Sequence, residues 1–229
     1  MKLSIVIPCY NEEATIKEII QKIKDQKKID KEIIVVDDHS LDGTRLILDK
    51  DLKNDIQKII LNPKNYGKGY SIRVGIKEAT GDFILIQDAD LEYDPSDYVN
   101  LLNPLKNGIA DVVYGSRFIG TSERRVLYFW HTVGNKFLTL LSNIFSNLNL
   151  TDMEVGYKVF RSNVLKELAL KENRFGFEPE VTAKIAKKDI KIYEVGVKYF
   201  GRKYSEGKKI TWKDGFSAIR CIIRYNLLK

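Results

Sequence analysis

Short apolar runs recur through the first half of the chain and alternate with stretches whose apolar residues return every three to four positions. The runs at 3–7, 33–36, 59–61, 83–86 and 111–114 are rich in Ile, Val and Leu, the composition of strands buried on both faces. Between them, 13–23, 43–48 and 71–79 carry helical spacing, and Ser40 or Asp42 is placed to cap the second of these helices. Strands and helices in alternation predict βαβ units and a mainly parallel sheet, an α/β fold.

After Gly120 the pattern changes. Residues 126–150 are apolar at roughly helical spacing, with Trp130, Val133, Phe137, Leu141, Ile144 and Leu148 on one side and Asn135, Thr139, Asn143 and Ser146 opposite. This predicts one or two amphipathic helices within 123–150, facing a membrane or a partner, with Arg124 and Arg125 placed to meet anionic headgroups. A helix near 179–187, a strand near 191–199, the basic stretch GRKYSEGKK and a helix from Trp212 complete the chain. We read 1–210 as one domain and 211–229 as a C-terminal helix.

Composition narrows the function classes. A chain of 229 residues, 44% hydrophobic and 30% charged with five prolines, has the material for one folded α/β domain and not for extended disorder. The net charge of +7 suits nucleic acid, an anionic membrane or a phosphorylated substrate. Cys9 and Cys221 form no CxxC or Cys/His cluster, so neither a zinc site nor a disulfide framework is expected, and a reducing cytosolic interior is. The apolar stretch before Pro8 is too short for a signal-peptide core. No run approaches the roughly 18 apolar residues of a membrane span, so attachment to a membrane would be peripheral.

In an open parallel sheet, ligands bind beyond the carboxyl ends of the strands. Those positions hold Pro8-Cys9-Tyr10-Asn11-Glu12, Asp37-Asp38-His39-Ser40 and Gln87-Asp88-Ala89-Asp90-Leu91-Glu92. Asp88 and Asp90, at alternate positions, suit magnesium or manganese, which accept carboxylate oxygens while keeping places for phosphate. Either acidic pair also makes sense as a turn or cap before the next helix. Lys68 and Arg73 follow Tyr66-Gly67, but a P-loop fails because position 62 is Asn and Gly69 follows the lysine. No GxGxxG follows the first strand, which argues against a dinucleotide-binding oxidoreductase.

Taken in order, SIVIPCYNEE, IIVVDDHSLDGT, NYGKGYSIRVGI, GDFILIQDADLEYDP, ADVVYGSRF and TDMEVGYKVF resemble family 2 glycosyltransferases, and among them dolichyl- or polyprenyl-phosphate mannosyl- and glucosyltransferases. The likeness covers 1–210 and implies a GT-A fold, a nucleotide-sugar donor, Mg2+ or Mn2+, and inversion at the anomeric carbon. By matching position it implies nucleotide contacts from Pro8, Tyr10, Glu12, Asp37, Asp38, Asp88 and Ala89. It implies metal ligands Asp88 and Asp90, with Glu92 a further ligand where many relatives carry Gln. Arg117, Arg202 and Lys208 would bind the acceptor phosphate, supported by Lys209.

The expected reaction is transfer of a hexose from a UDP- or GDP-sugar to a polyprenyl phosphate at the inner, cytoplasmic face of the membrane. Asp90, Arg117, Arg202 and Asp152 are the expected catalytic residues. A phosphate nucleophile is already ionised and needs cationic guidance, whereas a glycan hydroxyl acceptor would need a base, for which Asp152 is the candidate. A non-catalytic basic binding module is the third reading, although the basic residues are dispersed among acidic ones and no nucleic-acid partner is expected. Relatives often carry C-terminal transmembrane helices and no such stretch occurs here, which points to a membrane surface or a membrane partner protein. Glu154, Glu178 and Glu180 fit equally as caps or ion pairs, and neither His39 nor His131 earns a catalytic role.

Overall fold

The computed structural model describes residues 1–120, 125–126, 128–202 and 212–227. Seven strands, β1 (Leu3–Cys9), β2 (Lys31–Asp37), β3 (Lys58–Leu61), β4 (Phe83–Ile86), β5 (Val112–Ser116), β6 (Lys158–Arg161) and β7 (Ile192–Gly196), form one sheet in the order β3-β2-β1-β4-β6-β5-β7. Each of the five apolar runs is a strand, and the strands containing Ile5, Val35 and Leu85 are buried on both faces. Pairing is parallel except at β6, which runs antiparallel between β4 and β5. That strand is not visible in the sequence pattern, because it has four residues and begins with Lys158, a polar residue that is nonetheless fully buried.

The helices are α1 (Ile16–Lys24), α2 (Thr44–Lys50), α3 (Lys68–Glu78), α4 (Tyr98–Lys106), α5 (Phe129–Ser146), α6 (Ser162–Lys166), α7 (Phe177–Ile185) and α8 (Trp212–Leu227). The chain winds outward from β1 through β2 to β3, then returns to place β4 on the other side of β1. The reversal makes a topological switch point between β1 and β4, and an open sheet binds its ligands at the carboxyl ends of strands beside such a point. The capping of α2 divides the expected pair: Asp42 accepts from the Thr44 amide at 3.0 Å, while the Ser40 hydroxyl accepts from the Asn11 amide instead.

One helix, α5, occupies the long apolar segment, and its apolar residues divide: Leu138, Leu141 and Phe145 pack partly buried against the core, whereas others are exposed. Thr139 and Ser142 face the protein, while Phe129, Trp130, Phe137 and Ile144 are 70%, 76%, 54% and 67% exposed. The polar side has partners that explain its position. Thr139 Oγ1 accepts from the Met153 amide at 3.1 Å, and the Asn143 amide group pins Leu150 through two hydrogen bonds. Among the described residues no helix is long and apolar enough to cross a membrane. Helix α8 packs against α5 and α7, burying Ala218, Cys221 and Ile222. It therefore shares the packing of the main body rather than standing apart.

Gly75 of α3 lies against β1, where an added Cβ would collide with Val6 Cγ1; Gly134 of α5 has open space around it. Alanine gains about 1 kcal/mol over glycine inside a helix, but overpacking costs about 1–3 kcal/mol. Gly75→Ala is thus expected to lower the urea midpoint and Gly134→Ala to leave it unchanged or raise it.

Candidate active site

The loops after β1 and β2 are laced together before any ligand arrives. Asn11 (φ 50°) and His39 (φ 65°) adopt left-handed backbone, uncommon for residues other than glycine and frequent at binding sites. The turns are held by Asn11 N to Ser40 Oγ at 2.9 Å, Leu41 N to Asn11 Oδ1 at 2.8 Å and Glu12 N to Thr44 Oγ1 at 2.9 Å. Thr15 Oγ1 reaches both Glu12 Oε2 at 2.7 Å and the Ala89 carbonyl at 3.0 Å, tying the first loop to the turn after β4.

The expected nucleotide-contact residues thus gather at one edge, with unequal freedom to bind. Pro8 is buried in β1 opposite Val36, and Tyr10 is half-buried just beyond the strand. Asp38 is saturated: it accepts from Asn62 Nδ2 at 2.8 Å, Tyr66 N at 3.0 Å and Gly67 N at 2.6 Å, so it shapes the loop leading into α3. Asp37 binds Arg45 Nε at 2.6 Å and Ser40 N at 3.1 Å through Oδ2, while Oδ1 is buried without a hydrogen-bond partner. Of the two, Asp37 retains an acceptor for a ligand.

The acidic turn after β4 is divided between two cations. Asp88 Oδ1 pairs with Lys68 at 2.8 Å, whereas Asp90 Oδ2 pairs with Arg202 at 2.7 Å. Arg202 also approaches Glu12 at 3.4 Å and Glu92 at 3.7 Å, and its backbone amide donates to Glu92 Oε1 at 2.8 Å. The Tyr199 hydroxyl donates to the other Glu92 oxygen at 3.1 Å. Segment 199–202 is thereby drawn along the acidic turn, with Phe200 N bonded to the Glu92 carbonyl at 2.8 Å. Burial, then the charges of Asp88 and Glu92, push the Asp90 carboxyl up to about 7 against the opposing pull of Arg202.

Among the described residues no three His, Cys, Asp or Glu side chains are gathered to hold a metal by themselves. Of the expected ligands, Asp88 and Glu92 lie near enough for their charges to act on Asp90, while Lys68 pairs with Asp88 and Arg202 with Asp90 and Glu92. The donor chemistry still fits a hard divalent cation. Magnesium and manganese sites commonly take one or two carboxylates and complete their shell with phosphate and water. The crowding that raises the Asp90 pKa is the kind of repulsion such a cation relieves. Gly156 also lies close under Asp88, where an added Cβ would stand 2.6 Å from Oδ2.

Arg117 and Asp152 meet in a two-pronged ion pair, Nε to Oδ2 and Nη2 to Oδ1, both at 2.7 Å, and the Arg117 amide adds a third bond at 3.0 Å. Asp152 is fully buried. Both its oxygens are thus committed to the arginine, and they hold that guanidinium in place. Behind the pair lies a charged interior that sequence reasoning largely missed. Burial and the neighbouring Glu178 charge push the Glu154 carboxyl up to about 7, and burial brings the Lys158 ammonium down to about 8. Lys68 was read only as a failed P-loop lysine. Burial alone would lower its pKa, but Asp88 and Glu178 hold it above the ordinary lysine value. Beneath Asp88, Gln87 Oε1 accepts from the Tyr98 and Tyr157 hydroxyls, both at 2.6 Å, which fixes the end of β4. Arg124, Lys203, Lys208 and Lys209 lie outside the described residues.

Known proteins share this fold. The fold is that of glucosyl-3-phosphoglycerate synthase from Mycobacterium tuberculosis, solved with Mn2+, UDP and phosphoglyceric acid: TM-score 0.77 and 18% identity, covering 100% of this chain and 79% of that one. It is a GT-A fold. The chain is 29% identical over 236 residues to a dolichol-phosphate mannosyltransferase of Pyrococcus furiosus, covering 100% of this chain and 64% of that protein. It is 28% identical over 225 residues to the low-salt glycan biosynthesis hexosyltransferase Agl6 of Haloferax volcanii, covering 96% and 53%. An undecaprenyl-phosphate 4-deoxy-4-formamido-L-arabinose transferase of Proteus mirabilis is 28% identical over 214 residues, covering 90% and 62%. The chain thus spans less than two thirds of the length of these curated relatives. Residues 4–169 match the family described as Glycosyl transferase family 2, and the chain belongs to that family of glycosyltransferases.

Proposed function

We propose that this chain transfers a hexose from a UDP- or GDP-sugar to a polyprenyl phosphate at the cytoplasmic face of a membrane. The observation that carries the acceptor is the Arg117–Asp152 pair. The carboxylate that a sugar-hydroxyl acceptor would need as a base has both oxygens engaged by a guanidinium, whereas a phosphate acceptor needs cations and no base. The printed names of the Pyrococcus and Proteus relatives, one a dolichol-phosphate and the other an undecaprenyl-phosphate transferase, support the same acceptor class.

In this reading Asp37 accepts from the nucleoside, and Asp88 and Asp90 face the donor diphosphate. A magnesium or manganese ion held by those two carboxylates would supply charge neutralisation for the departing nucleoside diphosphate. Arg202, now spread over Asp90, Glu12 and Glu92, turns part of its fork to the acceptor phosphate, a geometry guanidinium matches with paired hydrogen bonds. Arg117 contributes fixed positive charge alongside. A phosphate oxygen of the lipid then bonds to the sugar C1 as the bond from C1 to the diphosphate oxygen breaks, inverting that carbon. The outward apolar face of α5, with Arg125 before it and Lys136 on it, supports contact with the lipid surface that delivers the acceptor.

Asp90→Asn is expected to reduce transfer more than about a hundredfold with an unchanged circular dichroism spectrum, in the range for groups that stabilise transition-state charge. EDTA should have the same effect, reversed by Mg2+ or Mn2+; full activity in either case removes the metal from the reading.

Arg202→Ala is expected to cost about 2–4 kcal/mol of transition-state stabilisation in transfer to a short-chain polyprenyl phosphate. Asp152→Asn leaves the buried Arg117 without its counter-charge, so its first consequence should be a lower melting temperature, from a loss of about 3–5 kcal/mol. A wild-type protein that glycosylates a saccharide hydroxyl and no polyprenyl phosphate would favour the hydroxyl-acceptor reading instead.

For the membrane contact, wild type should float with liposomes containing anionic lipid, and the Trp130→Ser/Phe137→Ser double variant should float markedly less. Equal flotation of the two excludes α5 as the contact.

A further inference from the structure

Asp152 lies in the loop between α5 and β6, outside any helix or strand. Both its oxygens are committed to Arg117, so the loop needs another group to fix it. Glu194, a half-buried residue of β7, is placed to do so. Its Oε1 accepts from Thr151 N at 2.9 Å, Thr151 Oγ1 at 3.1 Å and Asp152 N at 3.3 Å, and its Oε2 accepts from Thr151 N at 3.0 Å. An ionised carboxylate only accepts, so the Thr151 hydroxyl proton is given to Glu194 and the Ser116 hydroxyl donates to Thr151 Oγ1, at 2.6 Å. Ser116 Oγ in turn accepts from Phe118 N at 3.1 Å and Ile119 N at 3.2 Å. One connected set of hydrogen bonds thus reaches Arg117 from two directions, through Asp152 and through the turn at 116–119. Bonds in such a chain polarise and strengthen one another.

The same strand leads to the second arginine. Beyond β7, Val197 N bonds to the Ser116 carbonyl at 3.1 Å, Lys198 N to Asp97 Oδ2 at 2.8 Å and Phe200 N to the Glu92 carbonyl at 2.8 Å, which brings the chain to Arg202. On the way the Arg117 guanidinium lies over the Tyr199 ring, 5.1 Å from its centroid. A carboxylate that merely satisfied loop amides could belong to any neighbouring element. Glu194 belongs to the strand that continues to Arg202, and its donors are the residues beside and at Asp152. Resting on the phosphate-acceptor reading above, we propose that Glu194 is a positioning residue: through Thr151 and Asp152 it holds the Arg117 guanidinium at a fixed separation from Arg202, so that both arginines serve one acceptor phosphate.

Glu194 lines a surface cavity with Leu150 and Tyr193, so water can reach the amides that Glu194→Ala frees, and that variant should fold. Two readouts separate positioning from general stability. In the NMR spectrum, the Arg117 Nε–H signal, identified by its loss in Arg117→Lys, should exchange with solvent about tenfold faster or more in Glu194→Ala. Glu194→Gln keeps one accepting oxygen and should recover most of the protection. In transfer to a short-chain polyprenyl phosphate, Glu194→Ala should raise the acceptor KM about tenfold or more, while the affinity for UDP or GDP changes less than about threefold. Arg117→Lys keeps the charge and loses the fork, so adding Glu194→Ala to it should raise the acceptor KM less than about twofold further. If the alanine variant does not fold, Thr151→Val, which removes only the hydroxyl link, should show the same split between acceptor and nucleotide at smaller size. Unchanged Arg117 exchange, equal losses for nucleotide and acceptor, or losses that multiply in the double variant would make Glu194 an ordinary loop anchor and overturn the proposal. A wild type that uses no polyprenyl phosphate would bring down the acceptor reading, and the Arg117 exchange rate would then decide whether Glu194 positions that arginine.

Discussion

The site depends on balancing buried negative charge at the carboxyl edge of the sheet. Glu12, Asp37, Asp88, Asp90 and Glu178 lie where strands end or helices begin and Asp152 lies in the loop between α5 and β6, in a region largely closed to solvent. Removing a carboxylate from water is costly unless a counter-charge or donors follow it in. Each has its answer: Arg45 for Asp37, Lys68 for Asp88 and Glu178, Arg117 for Asp152, and Arg202 for Asp90 and Glu12. The cations are therefore part of the site's construction before they take part in any chemistry. In the proposed reaction a donor carrying its own charges would trade places with some of them, and Arg202, less deeply buried than Arg117, would be the one to yield.

This balance separates the fixed parts from the adjustable ones. Arg117 is locked by three bonds to one buried carboxylate, and Gln87 with its two tyrosines fixes the end of β4. The loops after β1 and β2 hold their left-handed residues through hydrogen bonds between the loops. Such pre-organisation suits the proposed reaction, in which charge would move from an incoming phosphate to a departing diphosphate, because rigid dipoles and ions need no reorganisation as the charge shifts. The outer surface answers to another demand. Helix α5 spends its polar side chains on the backbone at Leu150 and Met153, next to Asp152, and turns Trp130 and Phe137 outward. Positioning the site and presenting an apolar face are thus done by opposite sides of one helix.

The alternation of apolar runs and helical spacing determined the α/β class and the strands holding Ile5, Val35 and Leu85, because buried parallel strands need apolar residues on both faces. The acidic clusters after β1, β2 and β4 followed from the rule that such sheets bind ligands at their carboxyl ends, and the ordered motifs pointed to the family. Burial and partnership were decided only by the tertiary structure. β6 escaped because Lys158 reads as a surface residue, although the fold buries it beside Glu154 and Glu178. Asp37 and Asp38 look alike in sequence, yet Asp38 is consumed by the amides of Tyr66 and Gly67 while Asp37 keeps a free oxygen. Glu178 and Glu180 are two positions apart in one motif, and only the packing of α7 decides that one pairs with Lys68 while the other accepts from the backbone at Lys171 and Glu172. A periodic pattern is a property of neighbouring residues and can be read along the chain. A hydrogen bond or ion pair between residues about a hundred positions apart, such as Lys68 with Glu178 or Arg202 with Asp90, exists only once the fold has brought them together and taken the water away.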